Sequence, residues 1–457
     1  MNKLKIILAL VVAGFAASWN ATAQDADTNS PAWLTQPLSL MGALNTALQQ
    51  NAAILKGKND LEASYGIVVQ TRAVALPLVQ ATGKYADSEI TTLQEPPIPG
   101  FSYPQPHQNW NTGVQIVQSI YDGGKLTAAV RAARITKDQA LAQYQTVIAD
   151  ALLATRVAYY DVLLAAQQIT VHEASVNLLQ KELEDQQHRL DAGTVPKFNV
   201  LRAEVAVANE RPLLIQARNN YRIAKNNLSN LLGYNLPRDI WEDIPLQLTD
   251  TLDALPYDVN LPDAIQQALS SRTELVALRK AEELQQLNIV NAKSGYKPTV
   301  QVFAGYNWFN SSFSTDVGTH LDGWNAGGQM TWNIFDGLLT HGKVIQARAL
   351  HDKSETDLAD QSRQIELEVR TAYSDFIEAK EVLDSQETVQ AEADEALREA
   401  NARAEAGTGT QLDVLDAETS LTQARTTNVQ ALHDYAAARA KLERAIGEDM
   451  IQTAAAK

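Results

Sequence analysis

The chain has no cysteine at all. A protein exported into an oxidising compartment would commonly use disulfides, so burial and association must hold this one together. With no cysteine to modify, a lipid anchor at the mature N-terminus is excluded. Glycine and proline are also sparse, 22 and 15 in 457 residues, and unevenly placed, while Ala, Gln, Leu and Glu fill long tracts. That balance favours extended helices over a compact α/β globule. Basic charge is in deficit too: 38 Lys and Arg stand against 54 Asp and Glu, a net −16. An acidic surface argues against nucleic acid as a partner. Long hydrophobic runs are missing except at the start.

That first run reads as a secretory signal over 1–23. Lys3 and Lys5 form a basic start, Ile6 to Ala17 an apolar stretch, and Ala21-Thr22-Ala23 a small-x-small cleavage site. The apolar run falls short of the roughly 20 residues that a membrane-spanning anchor needs. The mature protein is therefore expected to be soluble, peripheral, or inserted by strands.

The most informative positive feature is an internal duplication. Gln115–Gly233 lies over Gln329–Gly447 without a gap, at a constant offset of 214. Ile120-Tyr121-Asp122-Gly123 meets Ile334-Phe335-Asp336-Gly337, Ala192-Gly193-Thr194 meets Ala406-Gly407-Thr408, and Val200-Leu201 meets Val414-Leu415. Upstream the offset becomes 221: Leu40, Ala43 and Leu44 align with Leu261, Ala264 and Ile265, and Pro77 with Pro298. The first copy thus carries seven extra residues, assigned to the proline-rich stretch Glu95–Gly100, since insertions collect in exposed loops. The expected organisation is a signal peptide (1–23), an N-terminal segment (24–37), repeat one (38–233), a Pro-punctuated linker or equatorial segment (234–258), repeat two (259–447) and a C-terminal tail (448–457).

Each repeat opens with a short amphipathic helix and then alternates. Val300, Val302, Ala304, Tyr306 and Trp308 share one face of a strand, with Gln301 and Asn307 on the other. In repeat one, Trp110, Thr112, Val114, Ile116 and Ile120 alternate with Asn111, Gly113, Gln115 and Ser119. Period two with one apolar face predicts a strand hairpin in each repeat, close to the roughly 9–11 residues needed to cross a bilayer. Trp110, Tyr121, Trp324 and Phe335 stand near the strand ends, where interfacial aromatics belong. Taken alone, such a hairpin is equally a soluble one packed on a helix.

After Asp122-Gly123-Gly124 the period becomes helical. Lys125–Ala192 holds 68 residues without Gly or Pro, and Lys343–Ala406 holds 64. At about 1.5 Å per residue these are rods of roughly 100 Å. Ile365, Val369, Ala372, Phe376, Ala379 and Leu383 form a seam with alternating spacings of 4 and 3, matched by Ala151, Thr155, Ala158, Val162, Ala165 and Ile169. Gly193 and Gly407 end the rods, and helices return over Lys197–Leu232, interrupted at Pro212, and over Thr410–Ile446. Asp122 and Asp336 read as helix-start residues. Strands in lipid must close into a barrel, and four per chain are too few, so several chains would share one; three would give twelve strands.

With these features in place the chain resembles the outer-membrane factor (TolC-type) family. The resemblance runs from about Leu38 to Gly447 and is carried by the duplicated strand–Asp-Gly–helix junctions and the duplicated tips. It implies an α+β membrane protein: a homotrimer with a 12-stranded β-barrel continued by an α-helical coiled-coil barrel. It further implies an outer-membrane channel for efflux or type I secretion, docked to a periplasmic adaptor and an inner-membrane pump or ABC exporter. The resemblance places Asp413 and Asp416 as a lumenal carboxylate ring at the inner aperture, whose mutual repulsion would raise some pKa values. Where family members carry a locking arginine this chain has Gly409, and Asn199 replaces its aspartate partner. Lys197 or Arg202 is therefore expected to pair with Asp413 and Asp416 instead. Gly193, Thr194, Val200, Leu201, Gly407, Thr408, Val414 and Leu415 are the expected adaptor-docking tips.

Nothing points to an enzyme, a cofactor or a metal site. The histidines at 107, 172, 188, 320, 341, 351 and 433 show no compact ligand spacing, and no nucleophile or phosphate-binding motif stands out. The rival reading is a non-conducting periplasmic scaffold or adaptor. It explains rods and signal but leaves the amphipathic strands without a purpose.

Overall fold

The computed structural model describes residues 37–88, 107–234, 243–311, 316 and 318–448. The signal sequence, the insertion Glu95–Gly100, Pro237 and the tail beyond residue 448 lie outside these described residues.

In chain order the elements are α1 (Leu40–Gln50), α2 (Ala52–Ala73), β1 (Leu78–Asp87), β2 (Gln108–Asp122), α3 (Lys125–Asp191), α4 (Lys197–Leu231), α5 (Leu261–Ser271), α6 (Thr273–Lys293), β3 (Thr299–Asn310), β4 (His320–Thr331), α7 (Leu339–Glu405) and α8 (Gln411–Ile446). The order repeats, as the duplication requires. Both rods are 67 residues long. No described helix is long and apolar enough to cross a membrane.

Two differences from the sequence reading concern the helices. Each repeat opens with two helices, not one; α2 and α6 bury only a few positions such as Ile54, Val68 and Leu275, and so lack a continuous apolar stripe that would mark them in the sequence. Asn51 makes the joint between α1 and α2, accepting from Ala53 and Ile54 N–H while its amide donates to Leu231 O. In addition, α4 continues through Pro212. Val207 before the proline and Ala217 after it are both buried, so packing against α3 holds the two flanks on one course.

The strands form one antiparallel sheet in the order β1-β2-β3-β4. The register puts Val114, Tyr306 and Trp324 side by side, and Ile116, Ala304 and Ala326 beside them, on one face. The opposite face carries Gln80, Gln115, Asn307, Asn325, Gln301 and Gln329, interrupted by the apolar row Leu78–Val117–Phe303, with Phe303 over Gly327, and by the pair Phe309–Leu321. A Cβ on Gly113 would stand 2.1 Å from Asn307 Oδ1, so glycine there leaves room for the amides. Asn307 Nδ2 in turn donates to Asn325 Oδ1 at 3.1 Å. One residue departs from the expected alternation. The ladder steps from Ser119/Gln301 to Tyr121/Val300, which makes Ile120 a bulge and puts Tyr121 on the apolar face in its place.

Two cores lie where the helices are thickest. One gathers Leu44, Tyr159, Leu228 and linker residues Ile244, Leu246 and Leu252; the other gathers Leu275, Phe376, Tyr435 and Leu442. The linker is pinned to the start of repeat one, with Leu38 N donating to Gln247 O at 2.8 Å. Helix α8 packs on both α7 and α3, so the second hairpin is carried by the first. The coiled-coil seam is buried at Ile365, Val369, Phe376, Ala379 and Leu383, and its counterpart at Ala151, Thr155, Ala158, Val162 and Ala165.

Candidate functional site

Two regions carry chemistry: the free ends of the helical hairpins and the faces of the sheet. At the ends, both rods close identically. Gly193 and Gly407 adopt φ of 71° and 72°, a left-handed conformation that suits glycine. Thr194 N donates to Arg189 O and Thr408 N to Arg403 O, each at 2.9 Å, returning the last carbonyls to use. The returning helix α8 starts in a capping box. Thr410 N and Oγ1 both donate to Asp413 Oδ2 at 2.8 Å, and Asp413 N donates back to Thr410 Oγ1 at 3.3 Å.

Asp413 is thus a capping residue as well as an exposed carboxylate at the tip. Hydrogen bonds from Thr410 hold its carboxyl below the usual range, opposite in sign to the shift expected of a crowded ring. Asp416 is exposed one turn on. Among the described residues neither Lys197 nor Arg202 pairs with these aspartates within the chain. Lys197 is exposed, and the Arg202 guanidinium lies 5.5 Å from the centre of the Phe198 ring. Gly409 has no room for a longer side chain on this backbone, since a Cβ there would meet Arg403 Cβ at 2.9 Å.

The tip residues divide into two groups. Gly193, Thr194, Leu201, Gly407 and Thr408 are exposed. Val200, Val414 and Leu415 are buried, Leu415 against Leu179 and Val207, and Val414 against Leu397 and Leu421. Val200, Val414 and Leu415 are thus packed inside the hairpin tips of the single chain, with little of their side chains exposed.

The sequence reading also missed a carboxylate. Glu418, 4% exposed, stands inside α8 facing α3. Burial, reinforced by the charge of Glu182, pushes its carboxyl up to about 7. Burial raises Glu182 as well, against the hydrogen bond that it accepts from Gln186 at 2.9 Å. The readable signal was the spacing: Val414, Glu418 and Leu421 follow the 4-and-3 seam, so a glutamate occupies an apolar position.

On the sheet, the apolar face is open to solvent in the single chain. Val79, Ile116, Trp324 and Met330 are 63%, 46%, 79% and 67% exposed. Trp110 pairs with Tyr85 at the end remote from the helices, and Tyr121 lies at the helical end. Trp324 sits inside β4 opposite Tyr306 and not at its end, while Phe335, 81% exposed, lies just beyond β4.

Comparison with known proteins adds an independent line. A family model described as outer membrane efflux protein matches residues 43–234 and again 264–448, once per repeat. Outer membrane protein TolC of Escherichia coli (strain K12) is 24% identical over 439 residues, covering 91% of this chain and 83% of its own. The cobalt-zinc-cadmium resistance protein CzcC of Cupriavidus metallidurans is 23% identical over 456 residues, 98% of this chain and 100% of its own. Among solved structures, the Campylobacter jejuni CmeC outer membrane channel superposes with a TM-score of 0.76 at 16% identity, covering 91% of this chain and 88% of its own.

Proposed function

Because the chain belongs to the outer membrane efflux protein family, we propose that it is the outer-membrane duct of a tripartite efflux pump or type I secretion system. The duct is passive. Three copies close a twelve-stranded barrel in the outer membrane, and their rods continue it as a periplasmic tube.

The observation that carries this reading is the four-stranded sheet with two open edges. Its edge strands β1 and β4 leave backbone donors and acceptors unpaired, and one face is mainly apolar and uncovered. In lipid both faults are removed only by closure into a barrel with other copies. The amide-lined face then borders the pore and the Val114–Tyr306–Trp324 face meets lipid. A scaffold that remains in the periplasm has no use for that face.

At the other end, Asp413 and Asp416 from three chains ring the inner aperture and favour cations. In this reading Lys197 or Arg202 of a neighbouring chain pairs with these aspartates. Exposed Gly193, Thr194, Leu201, Gly407 and Thr408 offer the surface for a periplasmic adaptor, through which an inner-membrane pump or ABC exporter delivers cargo. The mature chain starts after the signal sequence and carries no lipid.

The test is mass and heat-modifiability. Purified in mild detergent, the protein should scatter light as three chains and run on gels as a slow trimer band before heating and as a faster single-chain band after. A monomer soluble without detergent, with no heat-dependent shift, would contradict the proposal.

A further inference from the structure

Between the tips of the two hairpins of one chain lies a groove of about 550 Å³. Glu182 and Gln186 of α3 line it on one side, Gln411 and Glu418 of α8 on the other. Three oxygens of these residues are buried and accept no hydrogen bond: Gln186 Oε1, Gln411 Oε1 and Glu418 Oε2. Gln186 and Glu418 are each only 4% exposed. An unsatisfied buried acceptor costs about 1–3 kcal/mol, and more when charged, so three in one groove call for a ligand.

The amide orientations are fixed by their other ends. Gln186 Nε2 donates to Glu182 Oε1 at 2.9 Å, and Gln411 Nε2 donates to the Asn199 carbonyl at 3.1 Å. Turning either amide over would set oxygen against oxygen. Nor does a basic side chain fill the need. Of the three that line the groove, Arg189 is held by Asp185 at 2.7 Å, Arg202 stacks on Phe198, and Lys181 is exposed.

Two carboxylates and two amide carbonyls make an all-oxygen donor set, with no His, Cys or Met in the groove lining. Such a set suits a hard divalent cation and not a thiophilic metal. We propose that the groove binds one calcium- or magnesium-class ion per chain, coordinated by Glu418 and Glu182 with the carbonyl oxygens of Gln186 and Gln411. The ion ties α3 to α8 and so fastens the second hairpin tip to the first.

Binding does not depend on conduction and is measured without it. The full chain in detergent, stripped with EDTA, is titrated calorimetrically with calcium chloride and with magnesium chloride. An Asp413→Asn/Asp416→Asn background removes cation uptake by the exposed aspartates. The expected result is one ion per chain in that background, with a rise in melting temperature. Adding Glu418→Gln, which keeps the shape and removes a buried charge, should weaken binding at least tenfold without loss of fold. No heat and no melting shift with either ion would overturn the site. Equal affinity with and without Glu418→Gln would do the same.

Discussion

Arg156 Nη1 meets Glu443 Oε2 at 2.5 Å with neither side chain exposed, joining α3 of the first repeat to α8 of the second. Burial works against the guanidinium, but Tyr160 and Glu443 outweigh it and hold Arg156 ionised. Arg439 Nε reaches the other carboxylate oxygen at 2.8 Å. Breaking a buried pair leaves a charge stranded, at a cost of about 3–5 kcal/mol. Arg156→Ala should fall near the lower figure, because Arg439 remains. Thermal or denaturant unfolding in detergent checks it; a loss below about 1 kcal/mol would show that the pair is dispensable.

The tip glycines make a more local prediction. An L-residue held at φ near 72°, as at Gly407, is disfavoured by about 1–2 kcal/mol. Gly407→Ala and Gly193→Ala should each lower stability by that amount and leave oligomer mass unchanged. A substitution without effect on unfolding would mean that the turn relaxes freely.

Glu418 sets a pH dependence whose sign is fixed. Its folded value of about 7 lies above the ordinary 4.5. Between those values the folded chain holds a proton that the unfolded chain has released, so stability falls as pH rises from about 4.5 to 7. Burial lowers His433, but the carboxylates of Asp161 and Asp434 outweigh it and raise the imidazole. Its contribution is present below about 6.5 and lost as pH rises through its folded value. Comparing wild type with Glu418→Gln therefore isolates the glutamate. With metal removed, the wild type should lose more stability from pH 5 to 7.5 than the variant, and saturating calcium should remove the difference. Parallel pH profiles would exclude a shifted Glu418.

Adjacent residues on β4 separate the two faces of the sheet. Ala326 shares the face of Ile116 and Ala304, whereas Asn325 shares that of Asn307. An arginine facing lipid costs about 2–4 kcal/mol at the bilayer midplane. Ala326→Arg should deplete heat-modifiable trimer in the outer membrane, and Asn325→Arg should assemble normally. Equal assembly of both would contradict the assignment of faces.

Much of this architecture was legible because it repeats. The 214-residue offset, the Gly- and Pro-free rods and the period-two strands are each written twice, and local periodicity sufficed to read them. Tertiary context decided the rest. Arg156 and Arg370 are aligned in the duplication, yet one is buried against Glu443 and the other lies on the surface with Glu366 of its own helix. The bulge at Ile120 depends on pairing with β3, and the course of α4 through Pro212 on packing against α3. At the tips, the dipeptides Val200-Leu201 and Val414-Leu415 look alike, but Leu201 is exposed and Leu415 is buried. Glu418 was visible as a carboxylate on a seam, a conflict that only the neighbouring Glu182 and Gln186 make chemical sense of.

The central claim is conduction, and single-channel recording of the purified protein in a planar bilayer tests it most directly. Wild type should give small, cation-preferring currents that divalent ions block from the tip side, and Asp413→Ala/Asp416→Ala should conduct more and lose much of that block. A well-folded trimer that never conducts, even with its tips loosened by substitution, would contradict the duct.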